Sequence, residues 1–230
     1  MTEKIKKRNV NKVFDSANGL AQLFILVGKS GRGKSHLLRY LLTDKWCSGH
    51  YKFGLVMTKS LYDDEYTFLP KKSVLEYHPE KLEKYIENLK KMKAQNKNLP
   101  NSFLVLDDVQ GVLDDSSSFF SNFIAQHRHL NVDVYIAVQY ISGRKGISPL
   151  LKEQTSHCIM FQSRTKRTLE NLFLAFGGLF QSFNEFKDYF LNATKEKFSC
   201  MVYSEHIDEL DDNYITIQAP KEFEKCDFKF

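Results

Sequence analysis

Leu23-Phe24-Ile25-Leu26-Val27-Gly28-Lys29-Ser30-Gly31-Arg32-Gly33-Lys34-Ser35-His36-Leu37-Leu38 is the stretch from which the fold can be read. Its first five residues are apolar without alternation, the pattern of a strand covered on both faces. Gly28 to Ser35 then fit G-x-x-x-x-G-K-[ST]. Glycines let such a loop curl until successive N–H groups converge on one concavity, which takes up phosphate oxygens. A helix over His36 to Leu42 presents its positive N-terminal end to the same anion. The phosphate-binding residues are therefore Gly28, Lys29, Ser30, Gly31, Arg32, Gly33, Lys34, Ser35 and His36. Lys34 is placed to reach the β- and γ-phosphates of a nucleotide, and the Ser35 hydroxyl to ligate Mg²⁺.

Nucleotide hydrolysis also needs an acid beside the metal. Phe103-Leu104-Val105-Leu106 reads as a buried strand that ends in Asp107-Asp108. Open α/β sheets bind ligands at the C-terminal ends of their strands. Asp107 is then the natural Mg²⁺ or Mg²⁺-water ligand, and Asp108 the natural general base for a hydrolytic water. A further strand, Val132 to Val138, ends in Gln139, which at that edge would touch both the γ-phosphate and the attacking water.

Outward from these motifs, strands and helices alternate. Strands are expected at Phe53 to Met57, Cys158 to Phe161, Cys200 to Tyr203 and Tyr214 to Ile217. Helices are expected over Pro79 to Gln95, after a Ser116-Ser117-Ser118 cap, around Pro149 to Lys152, over Thr165 to Phe176 and from Phe183 onward. Alternation at this spacing specifies an α/β fold, a mostly parallel sheet with helices on both faces. With no internal repeat or Pro/Gly-rich linker, the chain divides into a basic N-terminal segment over 1–20, an ATPase core over 21–182 and a C-terminal helix with edge strands over 183–230, the last read as part of the same domain.

Composition excludes several classes. The chain has 230 residues, and Lys+Arg less Asp+Glu is 33 − 28 = +5. That excess permits a polyanionic partner without demanding one. No apolar run approaches the ~18 residues of a membrane-spanning helix, and the N-terminus lacks a signal peptide's apolar stretch. Four scattered cysteines, Cys47, Cys158, Cys200 and Cys226, form no CxxC pair. They argue against a zinc ribbon or a disulfide framework and suit a reducing compartment.

The phosphate loop, the strand ending in paired acids and the stretch Arg128-His129-Leu130-Asn131-Val132-Asp133-Val134-Tyr135-Ile136-Ala137-Val138-Gln139 together resemble the FtsK–HerA superfamily of DNA-pumping ATPases. The resemblance is greatest to genome-packaging ATPases of the poxvirus, giant-virus and virophage type. Gly146 to Lys152 and His157 to Phe161 resemble the family's stretch between sensor and fifth strand, although the family often has Arg where Lys152 stands. The resemblance covers about Leu23 to Gln181. It implies a RecA-like P-loop NTPase of the ASCE type, with the Gln139 strand between the phosphate-loop strand and the Asp107 strand. It implies a homo-oligomeric ring, usually a hexamer, that moves double-stranded DNA through a pore without reading sequence, binds ATP between subunits, and docks on capsid or internal virion membrane components. The implied location is the virion or the cytoplasmic virus factory.

A neighbour's arginine would complete such a site. Arg128, at the end of the Phe-rich helix, is the first candidate, Arg164 and Arg167 are the second, and Arg144 is a further one; any single one can equally be a solvated or phosphate-contacting side chain. Basic clusters at Lys4-Lys6-Lys7-Arg8, at Lys90-Lys91-Lys93 with Lys97, and at Arg144-Lys145 are candidate DNA contacts, and the loop Ile141 to Ile147 is placed to couple them to nucleotide state. The lysines of the 81–97 helix read equally as a solvated face. Rival readings are a cellular FtsK/HerA-like translocase or conjugation ATPase, a nucleoside or nucleotide kinase, and a non-hydrolysing ATP-dependent assembly factor.

Overall fold

The computed structural model describes residues 14, 19–59, 66–96, 98–143, 146–205 and 214–222. Lys4, Lys6, Lys7, Arg8, Lys97, Arg144, Lys145 and Cys226 lie outside the described residues. In chain order the elements are β1 (Leu23–Val27), α1 (Lys34–Cys47), β2 (Phe53–Thr58), a 3₁₀ turn (Lys71–Ser73), β3 (Val74–Glu76), α2 (Pro79–Gln95), β4 (Ser102–Asp107), α3 (Ser118–Gln126), β5 (Val132–Val138), α4 (Pro149–Glu153), β6 (His157–Phe161), α5 (Lys166–Phe176), α6 (Phe183–Ala193), β7 (Ser199–Ser204) and β8 (Tyr214–Gln218).

All eight strands form one sheet in the order β3-β2-β4-β5-β1-β6-β7-β8. β3 through β6 pair in parallel, and β7 and β8 run antiparallel at one edge. This is the α/β sheet expected from the alternation, and β5 lies between β1 and β4 as the resemblance implied. The edge reverses because two helices, α5 and α6, separate β6 from β7. A single crossover helix would have carried the chain to the far end of the sheet; the pair returns it to the end it left. β3 escapes sequence reading, since three residues are too few for a period to register.

The central strands β1, β4, β5 and β6 are buried along their whole length, and alternation sends their side chains into two cores. Leu23, Ile25 and Val27 of β1, with Leu104 and Ile136, pack under α2, α3, α5 and α6. Phe24 and Leu26, with Val105 and Ala137, pack under the apolar face of α1, Leu37, Leu38, Leu41 and Leu42. Phe14 packs into this second core, edge-on to Phe24 with ring centroids 5.5 Å apart.

A buried polar cluster ties the far end of α1 to β5. Lys45 Nζ lies 2.8 Å from Asp133 Oδ2, the Tyr51 hydroxyl donates to the same oxygen at 2.5 Å, and the Gln22 N–H donates to Oδ1 at 2.7 Å. Burial alone would raise the Asp133 carboxyl, but the Lys45 ammonium and these donors hold it below its ordinary value. Cys158 and Cys200 are buried free thiols. Cys47 is disulfide-bonded, which departs from the reading of separate thiols.

Candidate functional site

Parallel order brings the C-terminal ends of β1, β4 and β5 side by side, and a cavity of about 420 Å³ opens there. Ser30, Gly31, Gly33, Lys34, Ser35 and His36 line it from the loop and the start of α1. Asp107 and Asp108 line it from the end of β4, and Gln139 from the end of β5. Residues 30 to 139 thus converge because three parallel strands deliver their ends to one edge.

The loop is shaped for an anion. Gly31 and Gly33 have φ of +73° and +102°, backbone that residues with a Cβ rarely adopt. Gly33 caps α1, and no side chain caps that helix, so its first N–H groups face the cavity mouth as an anion site. Lys34 Nζ folds back to donate to the Gly28 carbonyl at 2.6 Å and to the Lys29 carbonyl at 3.3 Å. Gly28 sits beneath, its N–H donating to Val138 O at 3.1 Å. A Cβ there would come within 2.8 Å of Phe161 Cβ, so only glycine lets the loop leave β1 beside β6. Arg32 turns away from the cavity wall, donating to Gln162 Oε1 at 2.9 Å.

The two acids have different surroundings. Asp107 is 7% exposed and accepts a hydrogen bond from the Tyr66 hydroxyl at 2.7 Å on Oδ2. Asp108 is exposed to the cavity, on a backbone with φ of +51°, which Asp tolerates better than most residues. One carboxylate is thereby fixed and the other left open to solvent.

Four polar or aromatic cavity residues escaped the sequence reading. Thr58 ends β2, and the strand-end rule that found Asp107 would have found it too. Tyr66 lies in no recognisable element, and only the fold carries it to Asp107. Gln110 accepts from the Gln139 N–H at 2.8 Å through Oε1 and donates to the Tyr140 carbonyl at 2.5 Å through Nε2. It bolts the exit of β5 to the loop that carries the acids. Phe198 comes from the turn before β7.

The arginine candidates fall at opposite edges. Arg128 lies in the turn that leads into β5, its carbonyl accepting from Asn131 N. The length of β5, roughly 20 Å at strand rise, separates it from the cavity. Arg164 and Arg167 are exposed at the nucleotide edge, just after β6. Arg164 lines a separate groove with Lys166 and Lys187.

A phosphate loop, an acid-ended β4 and a Gln-ended β5 between them define a P-loop ATPase of the RecA-like kind. The chain belongs to the Poxvirus A32 protein family, which matches residues 11–175. It is 26% identical over 174 residues to uncharacterized protein 075L of Invertebrate iridescent virus 6, covering 74% of this chain and 66% of that protein. The fold is similar to the genome packaging NTPase B204 of Sulfolobus turreted icosahedral virus 2 in complex with ATPγS, with TM-score 0.59 and 16% identity over 80% of this chain and 92% of that one. It is also similar to the pCW3 conjugation coupling protein TcpA, with TM-score 0.59 and 13% identity over 87% of this chain and 60% of that one. No helix among the described residues is long and apolar enough to cross a membrane.

Proposed function

We propose that this chain is the ATP-hydrolysing subunit of a ring that moves double-stranded DNA into a viral capsid. One observation carries the chemistry: Lys34, Ser35, Asp107, Asp108 and Gln139 line a single cavity at the C-terminal edge of the sheet. Family membership and the fold shared with a packaging NTPase support the cellular role.

The residues divide the work. The loop N–H groups and Lys34 bind and orient the polyphosphate; the lysine exchanges its carbonyl contacts for phosphate oxygens, a stronger charge-assisted pairing. The Ser35 hydroxyl and the Asp107 carboxylate supply hard oxygen donors to the same cavity, from the start of α1 and the end of β4, which suits Mg²⁺, an ion that takes few protein ligands and keeps waters. When bound, the ion neutralises charge on the phosphates. The Tyr66 bond holds Asp107 in place for that task. Asp108 accepts the proton of the attacking water, and the Gln139 side chain orients that water.

An arginine of the adjacent subunit would reach the γ-phosphate. Arg128, too far from its own cavity to act in cis, fits a role in trans, and exposed Arg164 and Arg167 are the second choice. DNA contacts would be to the phosphate backbone, since a packaging motor must accept any sequence. Ring stoichiometry, capsid docking and the virus factory as site of action belong to the same proposal.

The test is ATP hydrolysis with and without duplex DNA, comparing wild type with Asp108→Ala. Turnover that duplex DNA stimulates and the substitution removes is the expected outcome. Wild-type protein that binds ATP without turning it over would favour an assembly factor.

A further inference from the structure

We propose that Phe198, with His36 beside it, is the platform on which the purine base of the nucleotide stacks. This rests on the nucleotide reading of the cavity and adds to it where the base lies. Phe198 lies outside the residues matched to the family, in a part of the chain to which the sequence motifs assign no role.

Three observations point to it. First, Phe198 has φ of +67°, a conformation disfavoured for a bulky side chain. Such outliers persist where the surroundings enforce them and concentrate at ligand sites. Second, Phe198 is 40% exposed yet lines the phosphate cavity. It lies against the loop itself: a Cβ on Gly33 would come within 3.0 Å of its Cδ1. Third, a second ring is fixed nearby. The His36 and Phe198 centroids are 6.4 Å apart, and His36 Nε2 is held 2.9 Å from Pro220 O.

Sheet order gives the direction. From β4 to β7 the strands run β4-β5-β1-β6-β7. Asp107, Asp108 and Gln139 therefore lie on one side of the phosphate loop, and the turn before β7 lies on the other. A polyphosphate whose γ end meets the acids has its nucleoside end directed towards Phe198. Stacking there uses the π-face that every base has, and Lys197 Nζ already lies 4.9 Å from the ring centroid in a cation–π contact.

The experiment measures affinities of the full chain for ATP and for inorganic tripolyphosphate. Phe198→Ala should weaken ATP binding roughly ten- to hundredfold and leave tripolyphosphate affinity as in wild type, while Phe198→Tyr restores ATP binding. Retained tripolyphosphate binding also shows that the variant is folded. ATP affinity unchanged in Phe198→Ala, or an equal loss for both ligands, would overturn the assignment. Wild type binding neither ligand would overturn the nucleotide reading, and this assignment with it.

Discussion

Lys34, Asp108 and Gln110 act on different steps, so their substitutions should separate in kinetics. Lys34→Ala removes the cation that grips the phosphates and should abolish both tight ATP binding and turnover. Asp108→Asn keeps the shape and loses the base, so nucleotide binding should persist while kcat falls about 10²- to 10⁴-fold, as measured by phosphate release. Gln110→Ala frees the exit of β5 without touching the phosphate loop. Because small displacements of a positioned group are costly, kcat should fall up to about a hundredfold, with ATP affinity in equilibrium titration little changed. Equal losses in Gln110→Ala and Lys34→Ala would contradict that division.

Secondary structure elements hold these side chains in place, and α1 is the one most exposed to test. Its first turn binds the anion, and its last turn is tied to β5 through Lys45 and Asp133. Lys45→Ala would leave the Asp133 carboxylate buried without its cation, and should cost about 3–5 kcal/mol in chemical denaturation. Acid acts through two groups. Burial lowers the His127 pKa below its ordinary 6.5, and its Nδ1–H donates to Val132 O at 2.9 Å. The neutral ring is the form the fold prefers, so its contribution is complete above 6.5 and is lost as pH falls below that value. Asp133, lowered from 3.8, keeps its contribution above that value and loses it only in stronger acid. Stability should therefore decline as pH falls below 6.5, and His127→Gln should flatten that slope.

For the whole molecule, the two sheet edges matter more than any single site. The nucleotide edge carries the cavity and exposed Arg164 and Arg167; the opposite edge carries Arg128. In a ring, a neighbour's surface has to complete the cavity. Mixing Arg128→Ala with Lys34→Ala subunits should restore part of the lost ATPase rate, because each supplies what the other lacks. The same mixture made with Arg164→Ala or Arg167→Ala tests the second choice. Duplex-stimulated turnover should also fall steeply with salt, since sequence-blind contacts to phosphates release counterions.

Much of this is legible in the amino-acid sequence. Glycine spacing, the unbroken apolar run of Leu23 to Val27 and Asp107-Asp108 after four apolar residues are local patterns. Each states its structure because backbone freedom, burial and carboxylate chemistry act within a few residues. The β5 sequence likewise announced a buried strand ending in Gln139. What the chain could not declare locally was adjacency. Tyr66 beneath Asp107, Gln110 across to Gln139 and Phe198 against Gly33 join residues between 29 and 165 positions apart. Nor could a period reveal three-residue β3, or the reversal at β7, which depends on how α5 and α6 return the chain. The sequence by itself determined the phosphate loop, its acids and the parallel core, since these follow from short-range constraints. The tertiary structure alone decided which side chains steady them and where a base would lie, because those contacts exist only once the sheet has set its strand order.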